Sequence, residues 1–117
     1  VPIHIIRLRG PWECAPAEGE AENRVRYTRR FGLPTNLTPN DRVWVVVEST
    51  ACDGAASLND KPLGEIVSDL KFIEFDVTDH LLPRNILRLD IGLPQNELCT
   101  EQPTAAIFGE VRLEIRS

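Results

Sequence analysis

The constraint that most narrows what this chain can fold into is its hydrophobic period: apolar residues recur every second position in run after run, and no stretch sustains a 3.6-residue period. Side chains on an extended strand alternate between two faces, so this pattern selects strands with one buried face. Ile3 to Leu8 is a first apolar run, stopped by Gly10-Pro11. Val25, Tyr27, Arg29 and Phe31 alternate with Arg24, Arg26, Thr28 and Arg30. Over Arg42 to Ser49, Val43, Val45 and Val47 share one face and Trp44, Val46 and Glu48 the other, which predicts a central strand. Leu70 to Val77 places Ile73, Phe75 and Val77 opposite Phe72, Glu74 and Asp76. Leu87, Leu89 and Ile91 follow Asn85, and Ala106 to Ile115 closes the series with Val111, Leu113 and Ile115 against Arg112 and Glu114.

Turn chemistry separates these runs. Asn and Asp tolerate positive φ, so Asn59-Asp60 predicts a hairpin between two short strands. Thr78-Asp79-His80-Leu81-Leu82 predicts a single helical turn ahead of Pro83. Residues 15 to 23 are small and acidic and read as an exposed loop. Seven or eight short strands with no long helix predict an all-β, antiparallel β-sandwich, formed as one domain over residues 1–117. At this length a domain buries roughly two-thirds of its unfolded surface, so a hydrophobic core alone can hold it.

Charge and residue chemistry exclude several functions. With 13 Lys plus Arg against 18 Asp plus Glu, the net charge of -5 opposes coating of nucleic acid or of anionic lipid. No apolar run approaches the roughly 20 residues of a membrane-spanning helix, so the partners expected are neither nucleic acid nor membrane. The N-terminus, Val1-Pro2-Ile3-His4, lacks a signal-peptide pattern; starting without Met, the chain reads as a processed product or a piece of a longer polypeptide, which leaves its location unknown. Cys14, Cys52 and Cys99 form no C-x-x-C pair, so neither a zinc knuckle nor a thioredoxin-like motif is expected. Three reduced thiols are the default, and Cys52 with Cys99 is the favoured pair if one bridge forms. With His4 and His80 as the two imidazoles and no nucleophile elbow, zincin helix or phosphate loop, the chain is expected to be no enzyme and to need no cofactor. Oxygen ligands for a structural calcium are plentiful, yet no EF-hand-type loop supports one. Asn36-Leu37-Thr38 is a glycosylation sequon, weakened by Pro39.

Several pieces, in order, carry a resemblance: Arg26-Tyr27-Thr28-Arg29-Arg30-Phe31, the strand Val43 to Val47, Ser57-Leu58-Asn59-Asp60-Lys61-Pro62-Leu63-Gly64, Phe75-Asp76-Val77-Thr78-Asp79-His80-Leu81, Asn85-Ile86-Leu87-Arg88-Leu89, and Ile107 to Ile115. Together, over residues 25 to 115, they resemble the N-terminal sugar-binding domain of family 2 glycoside hydrolases, the β-galactosidase, β-mannosidase and β-glucuronidase group. The resemblance implies a galactose-binding-domain-like jelly roll. It also implies a non-catalytic accessory role, because the barrel that carries the catalytic carboxylates in those enzymes is not in this sequence. Asp60 departs from the glycine usual in that hairpin.

A carbohydrate site would need an exposed aromatic to stack on a pyranose face and polar groups to take the hydroxyls. Trp44 and Trp12 are the aromatic candidates, and the stripe Arg24, Arg26, Arg30 is the basic one, suited to an anionic glycan. The plainer alternatives are that the tryptophans pack in the core and that the arginines pair across strands with Glu110 and Glu114. Two functions therefore stay open: an oligosaccharide-binding module, or a structural domain whose partner is another protein domain or a second copy through the Trp44 face.

Overall fold

The computed structural model describes residues 3–10, 12–16, 24–48, 53–67, 70–92 and 109–117. Among them run nine strands: β1 (Ile3–Arg7), β2 (Glu13–Pro16), β3 (Arg24–Gly32), β4 (Arg42–Glu48), β5 (Gly54–Leu58), β6 (Lys61–Ile66), β7 (Phe72–Asp76), β8 (Arg84–Gly92) and β9 (Val111–Arg116). They pair antiparallel into two sheets, β1-β9-β4-β7 and β2-β3-β8-β5-β6. The alternating runs thus become strands, and the fold is the expected antiparallel sandwich with nine strands in place of seven or eight. The additional strand is β2, which overlaps the start of the expected 15–23 loop and pairs with β3 from Glu13↔Thr28 to Pro16↔Val25. It lies at the edge of its sheet, the position where a proline is tolerated in a strand.

The core forms where the inward faces meet. Val43, Val45 and Val47 of β4 with Val111 and Leu113 of β9 face Val25 and Tyr27 of β3 and Leu87, Leu89 and Ile91 of β8, all buried. Burying one such aliphatic side chain contributes about 1.5–3 kcal/mol, so this double layer dominates the stability of the domain. Two glycines make tight approaches possible. A Cβ on Gly54 would lie 2.1 Å from the Asp90 carbonyl oxygen, and one on Gly64, whose φ is +156°, would lie 2.8 Å from the edge of the Phe75 ring.

The polar motif residues are architectural. Asn59 and Asp60 turn the β5–β6 hairpin at φ 53° and 67°. The Asn59 amide donates to the His80 carbonyl at 2.9 Å and to Asn85 Oδ1 at 3.0 Å, while its oxygen accepts the Ile86 N–H at 2.9 Å. Asn85, 1% exposed, accepts the Leu82 N–H at 2.8 Å and donates to the Leu82 carbonyl at 2.9 Å. Two side-chain amides therefore join the hairpin, the 3₁₀ turn Thr78–His80 and the start of β8. Asp76 accepts the Thr78 N–H at 3.0 Å and its hydroxyl at 2.7 Å, and Thr78 Oγ1 in turn accepts the Val43 N–H at 2.8 Å.

Cys14 is disulfide-bonded. A chain of three cysteines closes one bridge at most, so neither the set of three reduced thiols nor the expected Cys52–Cys99 pair stands. β2 is the reason: pairing Cys14 with Tyr27 turns what read as the approach to a loop into a held sheet strand. Cys52 and Cys99 themselves lie outside the described residues, as do Phe108 and most of the acidic loop.

Candidate functional site

The sequence candidates are distributed over three places. Trp12 belongs to the core: it is 3% exposed, and its indole N–H points at the Leu8 carbonyl 3.3 Å away. No ring face is left for a sugar, so its expected stacking role is corrected to packing. As a member of the buried core cluster, this large apolar ring closes the sandwich just after β1 ends. Trp44 lies on the outer face of the four-stranded sheet, and Arg26 and Arg30 on the outer face of the five-stranded one. Arg24 opens β3, with its side chain outside the described residues. Trp44 and the arginine stripe therefore sit on opposite faces of the sandwich and do not converge on one site.

Around Trp44 the strand registers assemble a lattice of charges. Trp44 stands opposite Glu114 on one side and Asp76 on the other, with Val46 opposite Arg112 and Glu74. The Arg116 guanidinium lies 4.7 Å over the Trp44 ring, a cation–π geometry. Arg116 also pairs with Glu74, and with Glu114 at 2.7 Å; Arg112 reaches Glu114 at 2.6 Å, Glu110 at 3.1 Å and Glu48 at 3.3 Å. Val46 faces outward in this lattice and is still 0% exposed, as expected where long charged side chains lay their stems over an apolar neighbour.

Two carboxylates of the lattice hold their charge strongly. Burial pushes Glu114 up, but hydrogen bonds from Arg116 and Arg112 outweigh it and keep the carboxyl below its ordinary range. Burial likewise raises Asp76, and the Thr78 N–H, the Thr78 hydroxyl and Arg42 together bring it below its ordinary range. The half-buried Trp44 thus sits inside a ring of guanidinium and carboxylate groups.

The arginine stripe has other partners than those expected. Glu110 and Glu114 belong to the opposite sheet, where they pair with Arg7, Arg112 and Arg116. Arg26 instead makes a two-point contact with Asp90 at 2.8 and 3.2 Å, and Arg30 pairs with Glu13 across β2. Arg88, unremarked in the sequence, pairs with Asp60.

At the end of this sheet Arg30, Phe31, Gly32, Arg84, Asn85 and Ile86 line an open groove of about 500 Å³. Arg84 is the residue that sequence reasoning missed. Between Pro83 and Asn85 it reads as part of a turn, and only the β3–β8 register places it beside the stripe.

A second groove, about 450 Å³, is lined by His4, Thr35, Asn36, Leu37, Asp41 and neighbouring residues of β1 and β9. Asp41 there accepts the Thr38 N–H at 2.8 Å, and among the described residues no hydrogen bond links His4 to it. Asn36, of the sequon, is exposed at φ 63°. Among the described residues no group of three or more His, Cys, Asp or Glu is placed to hold a metal ion.

No family model matches the chain, and no curated protein matches it in sequence. Solved structures do. A β-D-glucuronidase of Dictyoglomus thermophilum superposes with a TM-score of 0.75 at 11% identity, over 97% of this chain and 28% of that one. A β-glucuronidase of Bifidobacterium dentium, solved with coumarin-3-O-glucuronide, gives 0.72 at 16%, over 97% and 30%. A β-glucuronidase described as belonging to glycoside hydrolase family 2 gives 0.72 at 15%, over 97% and 18%. The chain thus spans less than a third of the length of the enzymes it matches, and at these identities the likeness is one of fold. The protein has the jelly-roll sandwich fold that these β-glucuronidases, the group its sequence motifs resemble, carry over part of their length.

Proposed function

We propose that this chain is a non-catalytic accessory module of the kind carried by family 2 glycosidases, and that it binds carbohydrate. The observation that supports an accessory role is coverage: 97% of this chain corresponds to 18–31% of β-glucuronidase chains, so it matches one part of a multi-part enzyme. Carbohydrate binding is supported by Trp44 set among guanidinium and carboxylate groups on one face and by the open groove beside Arg30 on the other. Because the two places are on opposite faces, single substitutions separate them. Titration calorimetry across neutral and acidic oligosaccharides, on the wild type, Trp44→Ala and Arg30→Ala, tests the reading. Saturable binding removed by one substitution with folding intact supports it, and absence of binding to every glycan refutes it.

A second reading, a structural or protein-interaction module, is favoured by a different observation. The Trp44 ring already carries Arg116 on it, and Leu70 and Phe72 beside the same sheet are 52% and 50% exposed. Its partner would be another domain of a longer chain or a second copy. Light scattering tests the second copy: a dimer that Phe72→Ser dissociates supports that partner, and a monomer at all concentrations removes it.

A further inference from the structure

Outside the lattice around Trp44, the described arginine side chains of the five-stranded sheet meet carboxylates at Asp90, Glu13 and Asp60, or, for Arg29, the backbone carbonyls of Arg9 and Arg30, with one exception at the end of β8. Among the described residues, Arg84 is exposed and its guanidinium has no hydrogen-bond or ion-pair partner. The β3–β8 register pairs Arg30 with Ile86 and Gly32 with Arg84. On the outer face the two arginines therefore occupy one diagonal of a four-residue square, and Gly32 and Ile86 the other. Diagonal neighbours lie about 7–8 Å apart, within reach of long side chains.

Four features make this square a receptor and not a bare surface. Two like charges on one diagonal repel unless an anion lies between them, and Glu13 meets only Arg30. Gly32 leaves the space open, since a Cβ there would find nothing nearer than the Pro83 carbonyl at 4.0 Å. The floor of the groove is apolar at Ile86, whereas the Phe31 ring turns to the inner face and packs against the core. β2 pairs with β3 only as far as Thr28, so among the described residues no strand covers the Arg30–Gly32 end from that side.

From this we infer that the Arg30–Arg84 groove binds a carboxylate-bearing saccharide, a uronic acid residue of an acidic oligosaccharide. The planar guanidinium of Arg84 takes the carboxylate by two parallel hydrogen bonds, Arg30 supplies the second charge, and the C–H face of the sugar rests on Ile86. The groove, about 500 Å³, has room for one to two sugar rings. The inference rests on the carbohydrate reading above and adds to it the ligand class, the residue Arg84 and the place.

The test is titration calorimetry at physiological salt with trigalacturonate, the neutral trisaccharide galactotriose, and acetate as a bare carboxylate. The proteins are the wild type, Arg84→Ala and Gly32→Val. Valine is well suited to an extended strand and has space at position 32, so this variant fills the groove while the fold and both arginines persist; its thermal midpoint is checked alongside. The expected result is saturable binding of trigalacturonate alone, weakened about tenfold or more by Arg84→Ala and abolished by Gly32→Val. Trigalacturonate binding that neither variant alters overturns this site while leaving the carbohydrate reading standing. Galactotriose bound as tightly as trigalacturonate overturns the carboxylate class, and acetate bound as tightly overturns recognition of a sugar. No binding of any of the three by a folded wild type overturns this inference; the wider glycan panel then decides separately whether the carbohydrate reading falls with it.

Discussion

Replacing Asn85 with alanine measures how far the family-like motif residues serve the fold instead of a ligand. The amide is 1% exposed and makes four hydrogen bonds: from the Leu82 N–H at 2.8 Å, from Asn59 at 3.0 Å, and to the Leu82 and Phe31 carbonyls at 2.9 and 3.4 Å. The last is long and weak. At about 1 kcal/mol net for each of the three good bonds, the substitution costs about 3 kcal/mol, and slightly more if the Leu82 N–H stays dry. A domain of this kind has about 5–15 kcal/mol in all, so the loss is large and still compatible with folding. Urea unfolding of the wild type, Asn85→Ala, Asn59→Ala and the double variant reads it directly. With a slope of about 1–3 kcal/mol per molar urea, the midpoint moves down by about 1 M or more. Because the two amides share a bond and serve the same turns, the double variant should be less than additive by about 0.5–1.5 kcal/mol. An Asn85→Ala midpoint within about 0.2 M of wild type would refute the assignment and return Asn85 to the list of free polar groups.

Other expectations follow from the same geometry. Gly54→Ala drives a Cβ against a backbone carbonyl 2.1 Å away and should cost about 3 kcal/mol, whereas Gly64→Ala meets the movable edge of Phe75 and should cost about 1–2 kcal/mol, both by urea unfolding. Trp44→Ala removes the ring under Arg116 and should cost about 1–2 kcal/mol with the fold retained, by the same measurement. Asp76 and Glu114 have folded pKa values below their ordinary 3.8 and 4.5, so the folded protein binds protons more weakly than the unfolded one. Their contribution is present above those ordinary values and is lost as the pH falls through the lower folded ones. The urea midpoint should accordingly drop between about pH 5 and pH 3, and the Asp76→Asn, Glu114→Gln double variant should show a flatter profile.

Much of the architecture was legible because it rests on local rules. Alternation along Val43–Val47 and Leu87–Ile91 marks inward faces, and Asn59-Asp60 marks a turn that needs positive φ. What was not legible depends on register and on edges. β2 is four residues long, ends on a proline and lies at a sheet edge, so nothing periodic announces it. Trp12 follows Gly10-Pro11, a context equally fit for a loop, and only the closing of the sandwich draws it inside. The partners of Arg26 and Arg30 could not be chosen among eighteen acids until strand order put Asp90 and Glu13 beside them and Glu110 and Glu114 on the other sheet. Arg84 was hidden for the same reason, and Cys14 was left unpaired because the strand that carries it was unseen.

The central claim, a non-catalytic module that recognises carbohydrate, is tested most directly by calorimetry of the wild-type chain over a panel of neutral and acidic oligosaccharides, with each ligand recovered afterwards and its length checked by mass spectrometry. The account predicts saturable binding to at least one oligosaccharide that is recovered uncleaved. Cleavage of the bound glycan would contradict the non-catalytic role, and absence of binding across the panel would contradict the recognition of sugar and leave the structural or protein-interaction module as the reading that survives.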